Sequence, residues 1–174
     1  MGRHIALLRG INVGGHRKVP MARLRALAGA AGLGEAETYV ASGNLVFEAD
    51  AAPEALERLL EEAIRTEFGF DVDVLVRSAA QWRALIEANP FPERGAEAPS
   101  KLMVTLGRNA PAEAGVEALR VRATGDEALA ISGGALWIWF GDGAGRSKLA
   151  AAPSKGVWTT RNWRTAVAIG EMLG

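Results

Sequence analysis

The stretch Pro53–Val76, PEALERLLEEAIRTEFGFDVDVLV, contains the clearest helix of the chain, followed directly by a strand. Its apolar residues recur at helical spacing, and they are Leu56, Leu59, Leu60, Ala63, Ile64 and Phe68. Glu54/Arg58 and Glu61/Arg65 are four residues apart with the acid first, which stabilises a helix. The β-branched run Val72–Val76 predicts a strand.

The residues before this stretch complete a recurring motif. His4–Leu8 predicts a buried strand, and Met21–Ala31 predicts a helix that Gly32 and Gly34 end. Thr38–Val40 and Leu45–Phe47 predict two strands of a hairpin around Ser42-Gly43-Asn44. Residues 4–77 therefore follow the order strand-helix-strand-strand-helix-strand of a ferredoxin-like unit.

The second half repeats most of this order. Ser78 and Gln81 form a capping box that opens a helix to about Ala88, and a polar loop follows it. The further elements expected are a strand Leu102–Leu106, a helix from Pro111 to about Leu119, strands Leu129–Ile131 and Leu136–Phe140 around Gly133-Gly134, a short helix Ser147–Ala152 and a final helix capped by Asn162. No clear last strand is visible in this half.

We therefore expect an α+β protein with a duplicated ferredoxin-like (βαββαβ) sandwich: two antiparallel sheets with helices packed on them. The halves are residues 1–78 and 79–174, and we expect them to pack as one compact unit. Within the first half we expect the first and third strands to be parallel neighbours. The loop 9–19 would then lie at the opposite end of the sheet from the turn 42–44.

The composition excludes several classes of site. The chain has 174 residues, 49% of them hydrophobic and 23% charged, as in an ordinary globular domain. It has no cysteine, which excludes disulfides, thiol catalysis and thiolate metal sites. With only His4 and His16 as histidines, we expect no metal and no cofactor. The longest apolar run near the start, Ile5–Leu8, is too short for a signal peptide or a membrane span, so a cytoplasmic protein without membrane contact is expected.

The net charge of zero hides an uneven distribution. Residues 1–34 contain six basic and no acidic residues, and residues 143–170 contain five basic and no acidic residues. Residues 35–142 contain nine basic and nineteen acidic residues, a net of −10. If the two ends meet in the fold, they form a positive surface; alternatively, the acidic middle only contains exposed helix faces.

The loop Arg9–Lys18, RGINVGGHRK, follows a strand and precedes a helix, where backbone N–H groups can hold an anion. It is neither a dinucleotide fingerprint, since Asn12 replaces the second glycine, nor a Walker loop. The candidate ligands for phosphate or carboxylate are Arg9, Asn12, Gly14, Gly15, Arg17 and Lys18. The alternative is a flexible turn in which the glycines only serve backbone geometry.

A second glycine loop, Gly141–Leu149 (GDGAGRSKL), is one residue short of a Walker loop and has Arg146 at the lysine position. ATP hydrolysis of that kind is therefore not expected. Its candidate anion ligands are Gly143, Gly145, Arg146, Ser147 and Lys148, with Ser147 expected to cap a helix. The alternative is a plain connection between a strand and a helix.

The third candidate is the loop Trp158–Arg164, WTTRNWR, in which Arg161, Asn162 and Arg164 could bind phosphate and the tryptophans could stack on bases. Trp163 lies on the apolar face of the final helix, so burial in the core is the alternative for it. Trp137 and Trp139 share one side of a strand and are expected to be half-buried.

Several of these motifs together resemble the domain of unknown function 1697 family of bacterial proteins. The motifs are Ile5–Gly15 with Lys18–Met21, Ser42–Asn44, Phe68–Phe70 with Val76–Ser78, Asn89–Phe91, Asp142-Gly143 with Gly145–Leu149, and Thr160–Thr165. The resemblance spans nearly the whole chain and implies a doubled ferredoxin-like α+β fold. One departure is Gly141, where the family usually has proline. The resemblance implies no biochemical role.

The residues favour a binding module for an anionic, phosphorylated small molecule or nucleic acid. One alternative is an enzyme acting on a nucleotide or phosphoester, with Asp142, His16 or Ser147 as reactive groups. That alternative is weaker, since no paired acid and base are evident. Another is a protein-interaction domain that uses its sheet edges. The identity of the ligand and the oligomeric state do not follow from the sequence.

Overall fold

The computed structural model of the protein describes residues 1–149 and 155–174. The first half contains β1 (Gly2–Leu8), α1 (Met21–Ala30), β2 (Gly34–Tyr39), β3 (Asn44–Ala49), α2 (Pro53–Phe68) and β4 (Val74–Ser78). The second half contains α3 (Ala79–Glu87), α4 (Pro92–Glu97), β5 (Leu102–Gly107), α5 (Glu113–Arg120), β6 (Ala128–Ser132), β7 (Ala135–Trp139), a 3-10 turn (Ala144–Arg146), β8 (Trp158–Asn162) and α6 (Trp163–Leu173).

The strands form two four-stranded antiparallel sheets with the same strand order. The first sheet has the order β2-β3-β1-β4 and the second has the order β6-β7-β5-β8. This matching order confirms the α+β fold and the duplicated βαββαβ-like arrangement. The chain divides into two compact units, one of Met1–Trp82 with Ile169–Gly174 and the other of Arg83–Ala168.

The helix borders follow the local signals in the sequence. Gly69 ends α2 with φ of 78° and donates its N–H to the carbonyl of Arg65 at 2.9 Å. Both hydrogen bonds of the Ser78/Gln81 capping box are present: the N–H of Ser78 donates to Oε1 of Gln81 at 2.9 Å, and the N–H of Gln81 donates to Oγ of Ser78 at 3.2 Å. Asn162 caps α6, since its Oδ1 accepts from the N–H of Thr165 at 2.9 Å.

Each sheet has a core on the face that a helix covers. In the first unit, Leu24 of α1 and Leu56, Leu60 and Ile64 of α2 pack on the strands. In the second unit, Val116 and Leu119 of α5 pack on Leu136 and Ile138 of β7. Each such side chain contributes about 1.5–3 kcal/mol when it is fully buried, so these faces fix the strand registers.

Four local predictions are wrong. Residues 92–97 form α4 instead of a polar loop, with Pro92 at its first position. Ser147–Leu149 is not helical, since Ser147 follows a single 3-10 turn with an extended backbone (φ −80°, ψ 147°). Residues 150–152 of the expected helix lie outside the described residues. Residues 158–162, expected as a loop, form β8, the missing last strand of the second half. Trp137 and Trp139 are 0% and 6% exposed, so they are buried and not half-buried.

The predicted parallel pairing of the first and third strands is also wrong. β1 pairs antiparallel with β3, with Leu7 opposite Asn44, and antiparallel with β4, with Leu8 opposite Val74. The physical reason is that a helix returns the chain between β1 and β2, so these two strands share a direction. The tight hairpin then reverses β3.

Candidate functional site

The antiparallel pairing brings the first glycine loop and the turn 42–44 to the same end of the first sheet. The N–H of Leu8 donates to the carbonyl of Gly43 at 2.8 Å, and the N–H of Arg9 donates to the carbonyl of Asp73 at 3.0 Å. The expectation that these segments lie at opposite ends is therefore wrong. The loop is supported on both sides by the segments that precede β3 and β4.

Asn12 fixes the loop through three hydrogen bonds of its side chain. Its Oδ1 accepts from the N–H of Val19 at 2.8 Å, and its Nδ2 donates to the carbonyl of Val19 at 3.0 Å. Nδ2 also donates to the carbonyl of Ala41 at 2.8 Å. Asn12 thus ties the two ends of the loop to each other and to the neighbouring turn. This makes it a positioning residue.

Between these ties, residues 12–17 form a small hairpin. The N–H of Asn12 donates to the carbonyl of Arg17 at 3.1 Å, and the N–H of His16 donates to the carbonyl of Val13 at 3.1 Å. Gly14 and Gly15, at the tip, have φ of 59° and 77°. Two consecutive positive φ values define the tight turn that favours glycine at both positions. The loop is therefore a defined hairpin in the structure, in which the glycines form the turn.

The turn 42–44 packs closely against the base of the loop. Gly43 has φ of 88°, and a Cβ atom there would lie 2.7 Å from Cδ1 of Ile11 and 2.8 Å from Cβ of Leu8. Asn44 donates its Nδ2 to the carbonyl of Tyr39 at 2.8 Å. Glycine is therefore required at position 43 by the close approach as well as by the backbone angle.

Ion pairs divide the basic residues of positions 1–34 into two groups. Arg3 lies 3.3 Å from Glu35, Arg9 lies 3.4 Å from Asp73, and Arg23 forms an ion pair with Glu67. Arg17, Lys18 and Arg25 are exposed and form no ion pair with any residue that the structure describes, although Arg25 donates to Oγ1 of Thr38 at 2.5 Å. Carboxylates from the acidic middle of the chain thus balance three of the six basic residues, and the loop Arg9–Lys18 retains two of the three uncompensated cations.

Sequence reasoning missed two residues that hold this loop, Asp73 and Ala41. The carboxylate of Asp73 forms an ion pair with Arg9, and the backbone carbonyl of Asp73 accepts from the N–H of Arg9. Neither belongs to a motif, so the available signal was the strand order. Antiparallel pairing of β1 with both β3 and β4 would have placed both residues beside the loop.

The second glycine loop borders a small cleft of about 100 Å³. Asp142, Gly143, Arg146 and Ser147 line it from the loop. The remaining lining residues are Thr124, Gly125, Asp126 and Glu127. Three carboxylates therefore surround the single arginine, so the cleft has mixed charge. Ser147 follows the 3-10 turn, and its Oγ accepts from the N–H of Leu149 at 3.0 Å. Gly145 and Lys148 are exposed and do not line the cleft.

Gly141, the position at which the chain departs from the proline of the resembled family, lies directly against Asp126. A Cβ atom at Gly141 would lie 1.5 Å from Oδ1 of Asp126. The Nζ of Lys101 donates to the carbonyl of Gly141 at 2.7 Å, and Trp139 donates its Nε1 to Oδ2 of Asp126 at 3.3 Å. Glycine at 141 and aspartate at 126 therefore depend on each other in this chain.

The third predicted segment is largely part of the second sheet. Trp158 is 5% exposed, so its ring is not available to stack on a base, and its Nε1 finds no acceptor among the described residues. Arg161 is buried and donates to Oγ1 of Thr159 at 2.8 Å and to the carbonyl of Thr160 at 2.9 Å. Burial lowers the pKa of Arg161 to about 10, which leaves it charged at neutral pH.

The C-terminal end of this segment lies on α6. The ring of Trp163 lies 5.6 Å from that of Trp137, which favours the core role for it. Asn162 is engaged as the helix cap, and Arg164 is exposed. Of this predicted set, Arg164 alone combines a charge with exposure among the described residues.

The described residues also show what this part of the chain offers to a metal ion and to a lipid bilayer. Residues 1–149 and 155–174 contain no group of three or more His, Asp or Glu side chains placed to hold a metal ion. Within the same ranges, every helix is too short or too polar to cross a lipid bilayer.

Comparison with known proteins gives a structural relative and a family. None of the curated proteins matches the chain. The solved structure of the conserved bacterial protein SP0830 from Streptococcus pneumoniae is similar to it with a TM-score of 0.76 and 26% sequence identity, over 99% of each chain. Residues 1–137 match the family model described as protein of unknown function (DUF1697). The match includes the loop Arg9–Lys18, whereas the loop Gly141–Leu149 lies beyond it. The chain therefore belongs to the DUF1697 family, a family of bacterial proteins of unknown function.

Proposed function

We propose that this protein binds phosphate-bearing anions, in particular the backbone of single-stranded nucleic acid, through the loop Arg9–Lys18. The observation that carries the proposal is the state of Arg17 and Lys18. Both are exposed, Arg17 at the end of the hairpin and Lys18 directly after it, and no carboxylate of the described residues compensates them. Cations held in this way can exchange bound counterions for phosphates, which favours binding.

The backbone of the hairpin supports the same function. Gly14 and Gly15 have no side chain, and no heavy atom would lie within 4 Å of a Cβ atom at Gly15. A phosphate oxygen can therefore approach the backbone N–H groups of the tip closely. Because the three hydrogen bonds of Asn12 already fix the loop, little conformational entropy is lost when a ligand binds.

The exposure of the loop favours an extended ligand over an enclosed small molecule. Every residue from Asn12 to Lys18 is exposed. Small ligands are mostly bound in pockets that cover 70–90% of their surface. A polynucleotide backbone is instead bound by a series of surface cations.

The test is a fluorescence-anisotropy titration with a labelled single-stranded oligonucleotide at several salt concentrations. Binding should weaken with salt by about 0.7 in log K per unit log[salt] for each phosphate contact. The double variant Arg17→Ala/Lys18→Ala should lower the slope by about 1.4 if each residue contacts one phosphate. The matched control is Arg58→Ala/Arg122→Ala, which removes two exposed arginines outside the loop.

Two outcomes contradict the proposal. One is the absence of binding at the lowest salt concentration. The other is an equal loss of binding in the loop variant and in the control, which would show that the net charge acts and the loop does not. Competition with inorganic phosphate and with a mononucleotide separates recognition of single phosphates from recognition of a chain, because a chain-specific site requires much higher concentrations of either competitor.

A further inference from the structure

The second sheet has an edge strand without the protection that the other edge strands carry. Edge strands present free N–H and C=O groups that pair with other chains, and proteins commonly block them with charges, bulges or covering groups. β6 contains the sequence Ala-Leu-Ala-Ile-Ser, without charge and without proline. Its pairing with β7 is continuous over all five residues.

The other edges of the two sheets differ clearly. β2 carries Glu35 and Glu37 and has a shift in register. At β4, the N–H groups of Val74 and Val76 donate to the carboxylates of Glu61 and Glu57 of α2, at 3.0 and 2.9 Å.

β8 carries the buried charge of Arg161, whose Nη1 also binds the carbonyl of Thr160. Among the four edge strands, β6 therefore differs from the others, because its described residues include no charged side chain, no shift in register and no carboxylate bound to its N–H groups.

The hairpin geometry shows which groups of β6 are free. The turn has two residues, Gly133 and Gly134, with φ of 58° and 73°, and Ser132 lies opposite Ala135. In such a hairpin the closing pair is hydrogen-bonded, and the bonded pairs then alternate along the strand. The N–H and C=O groups of Leu129 and Ile131 thus point away from β7, and they form no hydrogen bond with the described residues.

We propose that this edge binds β6 of a second copy of the chain, antiparallel, about a two-fold axis at Ala130. Leu129 then lies opposite Ile131 of the other copy, and each such pair exchanges two hydrogen bonds. All free groups of Leu129 and Ile131 in both copies are used by this pairing.

The side chains fit the same arrangement. Leu129 and Ile131 belong to the core face of the sheet, so the pairing continues that apolar face from one copy to the other. The small side chain of Ala130 lies at the axis, where a pair that is not hydrogen-bonded comes closest. Asp126 and Glu127 would face Gly134 and Gly133 of the other copy, so like charges are not opposed. This self-complementarity is the reason to favour a second copy over a peptide of another protein.

The experiment measures the mass in solution by light scattering and sedimentation over a range of concentrations. The native protein should form dimers with increasing concentration. Ala130→Lys and Ala130→Glu each place like charges directly opposite at the axis, so each should weaken the dimer several-fold, to roughly tenfold. An equimolar mixture of the two variants should form the dimer again, because opposite charges then meet. Ala96→Lys, an exposed position on α4, is the matched control.

Circular dichroism and melting curves establish that both variants are folded before their masses are compared. A native protein that stays monomeric up to about 1 mM overturns the proposal, since even weak specific association is detected there. A dimer that Ala130→Lys does not weaken also overturns it. If both variants are monomeric and their mixture does not form a dimer, the two-fold pairing at Ala130 is refuted.

Discussion

Replacement of Asn12 should show how strongly one side chain holds the candidate loop. Asn12→Gly removes the three hydrogen bonds to Val19 and Ala41. A hydrogen bond contributes about 0.5–1.5 kcal/mol net, and these three are partly exposed, so a loss of about 2 kcal/mol in the free energy of unfolding is expected. In a domain of this size that corresponds to a fall of about 4–8 °C in Tm.

Two further variants separate the contribution of the side chain from that of the backbone. Asn12 has φ of 55°, which glycine adopts freely and alanine does not. Asn12→Ala should therefore cost about 1–2 kcal/mol more than Asn12→Gly. Asn12→Asp keeps the acceptor for the N–H of Val19 but places oxygen against the carbonyls of Val19 and Ala41. It should thus destabilise the protein more than Asn12→Gly.

The assay is urea unfolding followed by circular dichroism, with Tm as a second measurement. If Asn12→Gly is as stable as the native protein to within about 0.5 kcal/mol, the hydrogen bonds of Asn12 do not hold the loop. An Asn12→Ala variant equal to Asn12→Gly would instead contradict the backbone argument. In both cases the loop could not be regarded as fixed in advance for a ligand.

Three further predictions concern the other close contacts and the second loop. Gly43→Ala should lower the free energy of unfolding by more than about 2 kcal/mol, because Ile11 and Leu8 must move to make room for the methyl group. Gly134 also has a positive φ but lies in open space, so Gly134→Ala should cost only about 1 kcal/mol. Equal urea midpoints for the two variants would refute this. Gly141→Ala should strongly destabilise the protein, because the new methyl group meets the carboxylate of Asp126. Adding Asp126→Ala to this variant should restore much of the lost stability. Strictly additive effects in this double-mutant cycle would show that the two residues are not coupled. Arg146→Ala should leave stability within about 0.5 kcal/mol, since the residue is exposed, and should remove any rise in Tm that inorganic phosphate produces through this loop. A loss of several kcal/mol without phosphate would instead identify Arg146 as a structural tie to the carboxylates around it.

The sequence by itself determined most of the helices and most of the strands. The repeat of Leu56, Leu60 and Ile64 places one apolar face on α2, and this face requires another apolar surface to cover it. The caps at Ser78 and Asn162 and the glycine that ends α2 depend on contacts within a few residues, so they could be predicted from the sequence without tertiary contacts. β8 was missed because its polar residues Thr159, Thr160 and Arg161 do not alternate with apolar ones, and its burial comes from pairing with β5.

The tertiary structure decided which polar groups lie together. Arg9 and Asp73 are 64 positions apart, and only the antiparallel pairing of β1 with β4 makes them partners. The structure also pairs Arg3, Arg9 and Arg23 with carboxylates and leaves Arg17 and Lys18 of the loop, and Arg25 of α1, without one among the described residues, although the sequence presents all six basic residues alike. Local chemistry acts over a few positions and is therefore encoded where it occurs. Charge compensation depends on distances in space, and those are set by the order in which the strands pair.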